Sequence, residues 1–131
     1  DSLDADRLPE NLTTTGYVEE DFEAHFDAAD IALNPMRSGG GTNIKLIDYF
    51  ARSLPVVSTP FGVRGLNVHR DKEVVVAEID EFAAAIDTLR EEPKRSKELG
   101  AAGWQLANEK YTWESASQHL REKLHELFGP F

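Results

Sequence analysis

Two kinds of apolar pattern alternate along the chain. Short apolar runs bounded by turn residues read as strands, and stretches with apolar positions every three or four residues read as helices. After a polar lead-in over residues 1–12, "TTTGYV" (13–18) is β-branched and aromatic and predicts a strand. "EEDFEAHFDAA" (19–29) places Phe22, Phe26 and Ala29 on one helical face, with acidic residues in the first turn where they suit the helix dipole. "DIALNP" (30–35) predicts a second strand, and "TNIKLIDYFARS" (42–53) a helix with Thr42 near its start. "LPVVST" (54–59) and "VVVA" (74–77) predict two buried strands, joined by the glycine-containing loop 60–73.

The remainder is helical in pattern. Ile79, Phe82, Ala83, Ile86 and Leu89 share one face. Pro93 ends that helix and opens the next, because proline lacks a donor but suits a first helical position. Residues 96–110 form a moderately amphipathic helix that Gly100 and Gly103 weaken. In the final segment 111–128, Thr112 is the expected N-cap, and Trp113, Ala116, Leu120, Leu124 and Leu127 the expected buried stripe. Trp104 and Trp113, both at helical positions, are assigned to the core.

The order β-α-β-α-β-loop-β-α-α-α implies an α/β fold, a Rossmann-like parallel sheet of about four strands flanked by helices, with a long C-terminal helix. In 131 residues this is one domain. Ligands of open parallel sheets bind beyond the carboxyl ends of the strands. Loops 35–41 and 59–66 hold that position, and both contain glycine.

Candidate chemistry concentrates in "MRSGGGTNIKLIDYF" (36–50). Glycine permits positive φ and close approach of a ligand to the backbone. The helix start that follows offers unpaired N–H groups and partial positive charge, suited to an anion. No Lys-Ser/Thr pair follows the last glycine, so this is not a P-loop. On the helix, Ile44–Ile47–Ala51 and Leu46–Phe50–Leu54 form two apolar stripes, and Lys45, Asp48 and Arg52 a polar one that extends back toward Gly41. Read from the residues alone, a slack connector with a surface Lys45–Asp48 pair competes evenly with a ligand cradle.

Charge narrows the partners. The formal net charge of −10, with no basic patch, argues against nucleic-acid binding and for an ordinary acidic surface. Adaptation to high salt is a minor alternative, given only six lysines. Cysteine is absent, which removes disulfides and thiolate chemistry. The acidic opening "DSLDADRLPEN" is unlike a secretory signal, no segment is long and apolar enough to span a membrane, and the expected location is cytoplasmic. The "NLT" sequon at 11–13 carries little weight in that setting. His25, His69, His119 and His125 are not spaced as metal ligands with carboxylates, and no Gly-x-Ser-x-Gly elbow occurs.

The block "DAADIALNPMRSGGGTNIKLIDYFARSLPVVSTPFGVRGL" (27–66) closely resembles the donor-binding segment of GT-B-fold, nucleotide-sugar-dependent retaining glycosyltransferases of the group 1 type, and "KYTWESAS" (110–117) resembles the start of that family's last helix. The resemblance implies a C-terminal, donor-binding domain. It implies a nucleotide-sugar as substrate, no cofactor and no metal. Many members carry two spaced acidic residues. The second falls on Asp48 and implies a hydrogen bond to the nucleotide ribose; the first falls on Gly40, where no carboxylate is present. A branch of the family uses a glycine loop with a nearby lysine instead, which implies donor contacts from Gly39, Gly40, Gly41, Thr42 and Lys45. Arg37 and Arg64 are further candidates for the cleft, Arg64 with a solvated loop arginine as its alternative. No catalytic residue is assigned.

The family's domain begins with two further strands before the equivalent of "TTTGYV", and its acceptor-binding N-terminal domain has no counterpart in these 131 residues. By resemblance, the chain is therefore a single partial nucleotide-sugar-binding domain, truncated on its N-terminal side and inactive by itself. The sheet gap this implies would be closed by a moved first strand or by a homodimer through the exposed edge. The activity expected of the whole protein is transfer of a sugar to a glycan, lipid or small acceptor. A non-catalytic α/β binding or assembly module of the same fold is the alternative, and a nucleotide-sugar epimerase a weaker one.

Overall fold

A computed structural model of the chain describes residues 8–41 and 43–129. Its described elements are helix α1 (Phe22–Asp27), strand β1 (Ala32–Asn34), helix α2 (Ile44–Ala51), strands β2 (Val56–Ser58) and β3 (Val75–Val76), a 3₁₀ turn (Ile79–Glu81), and helices α3 (Phe82–Glu91), α4 (Pro93–Lys110) and α5 (Trp113–Phe128).

The strands form a parallel sheet in the order β1-β2-β3. Ala32, Leu33 and Asn34 align with Val56, Val57 and Ser58, and Val57 and Ser58 with Val75 and Val76. β2 is central and inaccessible at all three residues, as its unbroken apolar run requires. Val56 faces a core layer built on Leu46, Phe50 and Leu106; Val57 faces a second layer with Phe82, Leu89 and Leu99. Helix α4 serves both layers, through Leu99 at one end and Leu106 at the other.

The α2–α4 contact depends on two glycines. A Cβ on Gly100 would lie 2.2 Å from the Ser53 carbonyl oxygen, and one on Gly103 2.7 Å from a ring carbon of Phe50. These residues cost intrinsic helicity, about 1 kcal/mol each against alanine. In return they let α4 lie directly on α2 and on the turn that ends it. That turn is a Schellman motif: Ser53, at φ 56, donates its N–H to Phe50, and Leu54 donates to Tyr49.

Several expectations need correction. Residues 13–18 form no strand, and 13–17 are exposed, so the described sheet has three strands and the first segment has not moved into it. Only one of the two apolar stripes on α2 is fully used: Leu46 and Phe50 are inaccessible, whereas Ile44 is 70% exposed. Thr112 caps α5 as expected, accepting from Ser115 N–H at 3.1 Å. But α5 buries no residue: Trp113 is 93% exposed, and Leu120 and Leu127 are also exposed. Trp104 is half exposed. The stripe on α5 is present as a sequence pattern, but none of its residues is buried, Leu124 being half-buried. Among the described residues, no helix is long and apolar enough to cross a membrane.

Candidate functional site at the carboxyl edge of the sheet

Both candidate loops leave the carboxyl ends of strands, the first from β1 and the second from β2. A buried polar network joins them. Asn34, the last residue of β1, donates from Nδ2 to Ser58 Oγ at 3.1 Å and more weakly to the Gly62 carbonyl at 3.4 Å. Asn43 donates to the same Gly62 carbonyl at 3.4 Å and to Met36 Sδ at 2.9 Å. The Thr59 hydroxyl donates to the Met36 carbonyl and accepts from Gly62 N–H at 3.0 Å. Such groups are stable in a core only when paired, and this set pairs internally. Its close fit requires glycine at 62, where a Cβ would lie 2.4 Å from Ser58 Oγ and 2.5 Å from Asn34 Nδ2.

Arg64 adds an outer tie. Its guanidinium donates to the carbonyls of Gly39 at 2.8 Å, Gly41 at 3.1 Å and Phe61 at 3.2 Å, and lies 3.8 Å over the Phe61 ring. Gly39 and Gly41 sit at φ 140 and φ 72, which glycine adopts without strain. The loop is thus tied to the β2 loop at Gly39 and Gly41.

A cleft of about 440 Å³ opens between this loop and α2. Gly40, Gly41, Asn43, Ile44, Lys45 and Tyr49 are among its lining residues. Asn43 stands at the N-cap of α2, but its side chain is committed to Met36 and Gly62 and makes no cap hydrogen bond to the helix. Leu46 N–H bonds the Asn43 carbonyl at 3.3 Å, and among the described residues the N–H groups of Ile44 and Lys45 have no hydrogen-bond partner, beside the exposed Lys45 side chain. Burial, with Asp48 alongside as a smaller cause, raises the Tyr49 phenol above its ordinary range, so it stays protonated and neutral near pH 7.

The other candidate residues are distributed differently. Thr42 lies outside the described residues. Asp48 is exposed one turn beyond Lys45 and does not line the cleft. Neither forms an ion pair among the described residues, so the Lys45–Asp48 surface pair is absent. Arg52, the third member of the polar stripe, is engaged elsewhere: both terminal contacts to Glu23 are 2.7 Å, and its guanidinium lies 4.2 Å over Phe26. It docks α1 onto α2 and leads to no site. Arg37 lines a neighbouring crevice with Phe61, Glu78 and Asp80. A larger cleft, with Asp30, Pro55, Arg90 and Lys97, opens on the opposite, amino edge of the strands, away from the position where parallel sheets bind ligands.

Asn34, Asn43, Ser58, Thr59 and Gly62 are not among the residues that the sequence marks as site candidates. Part of the signal is in the sequence: the first run ends in Asn34 and the second in Ser58 and Thr59, at the same sheet edge.

Comparisons with known proteins show the family and the fold. The family described as glycosyl transferases group 1 matches residues 1–92. A GDP-mannose-dependent alpha-(1-6)-phosphatidylinositol monomannoside mannosyltransferase of Mycolicibacterium smegmatis is 28% identical over 120 residues, 85% of this chain and 31% of its own length. An MMP alpha-(1->4)-mannosyltransferase of Mycolicibacterium hassiacum is 27% identical over 109 residues, 80% of this chain and 26% of its own. The chain thus spans about a quarter to a third of the length of the curated relatives it matches. Among solved structures, the C-terminal domain of a glycosyl transferase group 1 family protein from Francisella tularensis superposes with a TM-score of 0.67 at 19% identity, over 75% of this chain and 52% of that one. Sucrose-phosphate synthase of Thermosynechococcus elongatus gives 0.65 at 19% identity, over 79% and 27%. At that identity the structures speak for the fold: a Rossmann-like sheet of the kind found in the C-terminal domain of GT-B enzymes. With the family match covering residues 1–92 of 131, the chain belongs to the glycosyl transferases group 1 family.

Proposed function

We propose that this chain is the donor-binding part of a glycosyltransferase that moves a sugar from a nucleotide-sugar to a glycan, lipid or small acceptor. The observation that carries the reading is the cleft itself. A glycine loop tied by Arg64, the N-terminal end of α2 and Lys45 converge at the carboxyl edge of a parallel sheet. Backbone N–H groups and a lysine ammonium are a binding set for phosphate oxygens. In transfer, the bond from the anomeric carbon to the donor's phosphate oxygen breaks. The acceptor oxygen bonds that carbon and passes its proton to the departing phosphate oxygen, on which negative charge grows as the bond breaks. Fixed dipoles and a cation at that oxygen stabilise the developing charge.

By family likeness the reaction retains anomeric configuration and uses no metal. The mannosyltransferase relatives make GDP-mannose a donor to try first. Asp48 is the proposed ribose partner, at the outer end of the same helix face. Arg37 belongs to the adjoining crevice, where the rest of the donor or the acceptor would lie. The exposed edge of β1 is proposed to pair with a second copy, which sedimentation at rising concentration tests.

Calorimetric titration with GDP and UDP tests the reading. Saturable binding of either, weakened by Lys45→Ala and by Asp48→Ala, supports it. A chain that binds neither nucleotide, while a longer form carrying the rest of the protein also binds neither, favours the non-catalytic module. Sugar transfer by the 131 residues alone would contradict the assignment of this chain as one part of the enzyme.

A further inference from the structure

We propose that Arg64 is a positioning residue: by holding the carbonyls of Gly39 and Gly41 it sets the peptide planes of the glycine loop and turns the Gly40 N–H away from itself, toward the cleft. The role in donor binding rests on the function proposed above; the role in loop order does not.

Three observations carry it. Arg64 reaches across from the β2 loop to two carbonyls of the β1 loop, at 2.8 and 3.1 Å. In a trans peptide the carbonyl and the following N–H point in opposite directions. With the Gly39 carbonyl fixed on Arg64, the Gly40 N–H faces the other way, and Gly40 lines the cleft. Among the described residues that N–H has no hydrogen-bond partner.

The arginine is itself immobilised. It bonds the Phe61 carbonyl at 3.2 Å and stacks on the Phe61 ring, and its loop is tied to β1 and β2 through Gly62. Phe61 and Gly62 are thus the fixed base from which the guanidinium spans to the glycines. Lysine could not reproduce this. A planar fork reaches several carbonyls at once, whereas an ammonium on a flexible stem is a point charge. Three consecutive glycines without such a tie lose more conformational freedom on ordering than any other sequence, and a ligand would have to meet that cost.

The test is ¹⁵N relaxation of the 131-residue chain, wild type against Arg64→Met and Arg64→Lys, with GDP titrated into each. Backbone order parameters of Gly39–Gly41 near ~0.85 in the wild type, falling below ~0.6 in both variants while β2 and α4 stay rigid, support the proposal. GDP affinity falls about tenfold in both. A charge contact to phosphate would instead leave Arg64→Lys close to wild type in both readouts. Lys45→Ala serves as the contrast, weakening GDP binding without changing the loop order parameters. Unchanged order parameters in Arg64→Met, or a wild-type glycine loop already below ~0.6, overturn the proposal. If the wild type binds neither GDP nor UDP, the donor reading fails while the order parameters still decide what Arg64 does.

Discussion

A methyl group on Gly100 would sit 2.2 Å from the carbonyl oxygen of Ser53, so α4 and the turn closing α2 touch backbone to backbone. Helix α2 carries the cleft-lining residues Ile44, Lys45 and Tyr49. Its distance from α4 therefore helps set the shape of the site. Gly100→Ala gains about 1 kcal/mol of helix propensity but has no room, since the opposing atom is backbone. Overpacking costs about 1–3 kcal/mol or more, so the variant is expected to be net destabilised. Urea unfolding monitored by circular dichroism checks the sign.

Gly62→Ala should act on the site more directly. The new methyl would displace Ser58 Oγ or Asn34 Nδ2, both buried and both members of the network that joins the two loops. A loss of about 1–3 kcal/mol is expected, with nucleotide binding reduced more than Gly100→Ala reduces it. Parallel unfolding and calorimetric titration of the two variants would make the comparison.

The stripe of α5 yields the opposite expectation. Trp113, 93% exposed, should tolerate Trp113→Ser with a change within about 0.5 kcal/mol. Leu99, 1% exposed in the core, should lose about 2–5 kcal/mol as Leu99→Ala. Equal losses in thermal unfolding would show that α5 is packed against the domain after all.

A pH effect follows from Tyr49. Burial first, and Asp48 second, raise its pKa above the ordinary value of 10.0. The folded state then holds the phenolic proton more tightly than the unfolded chain. The stabilisation is fully present below the unfolded pKa and is lost as pH rises through the folded one. Wild-type stability should thus fall more steeply than that of Tyr49→Phe as pH rises above about 10. Denaturant midpoints of the two proteins across that range give the slope difference.

Much of this architecture was legible because it is periodic. Val56–Ser58 had to be a central strand, since no polar residue interrupts its apolar run; Pro93 and Thr112 marked helix starts by local chemistry. The missed parts depend on which elements meet. "TTTGYV" has strand propensity, but no described strand pairs with it, and propensity without a partner does not make a sheet. The α5 stripe likewise has the right period, yet none of its residues is buried. In the site, the glycine loop was visible but its tie was not. Arg64 lies 25 residues from Gly39, and nothing local indicates that its guanidinium reaches back to that carbonyl. Gly100 reads as a weakness in the sequence because its gain is realised only against Ser53.

The central claim is that the nucleotide portion of a donor binds between the glycine loop and the start of α2. Amide chemical-shift mapping of the ¹⁵N-labelled chain with GDP, then UDP, tests it most directly. The account predicts saturable shifts at Gly39–Gly41 and at Asn43–Lys45, with Arg90 and Lys97 at the opposite edge unmoved. Shifts confined to the amino-edge cleft, or none with either nucleotide at millimolar concentration, would contradict it.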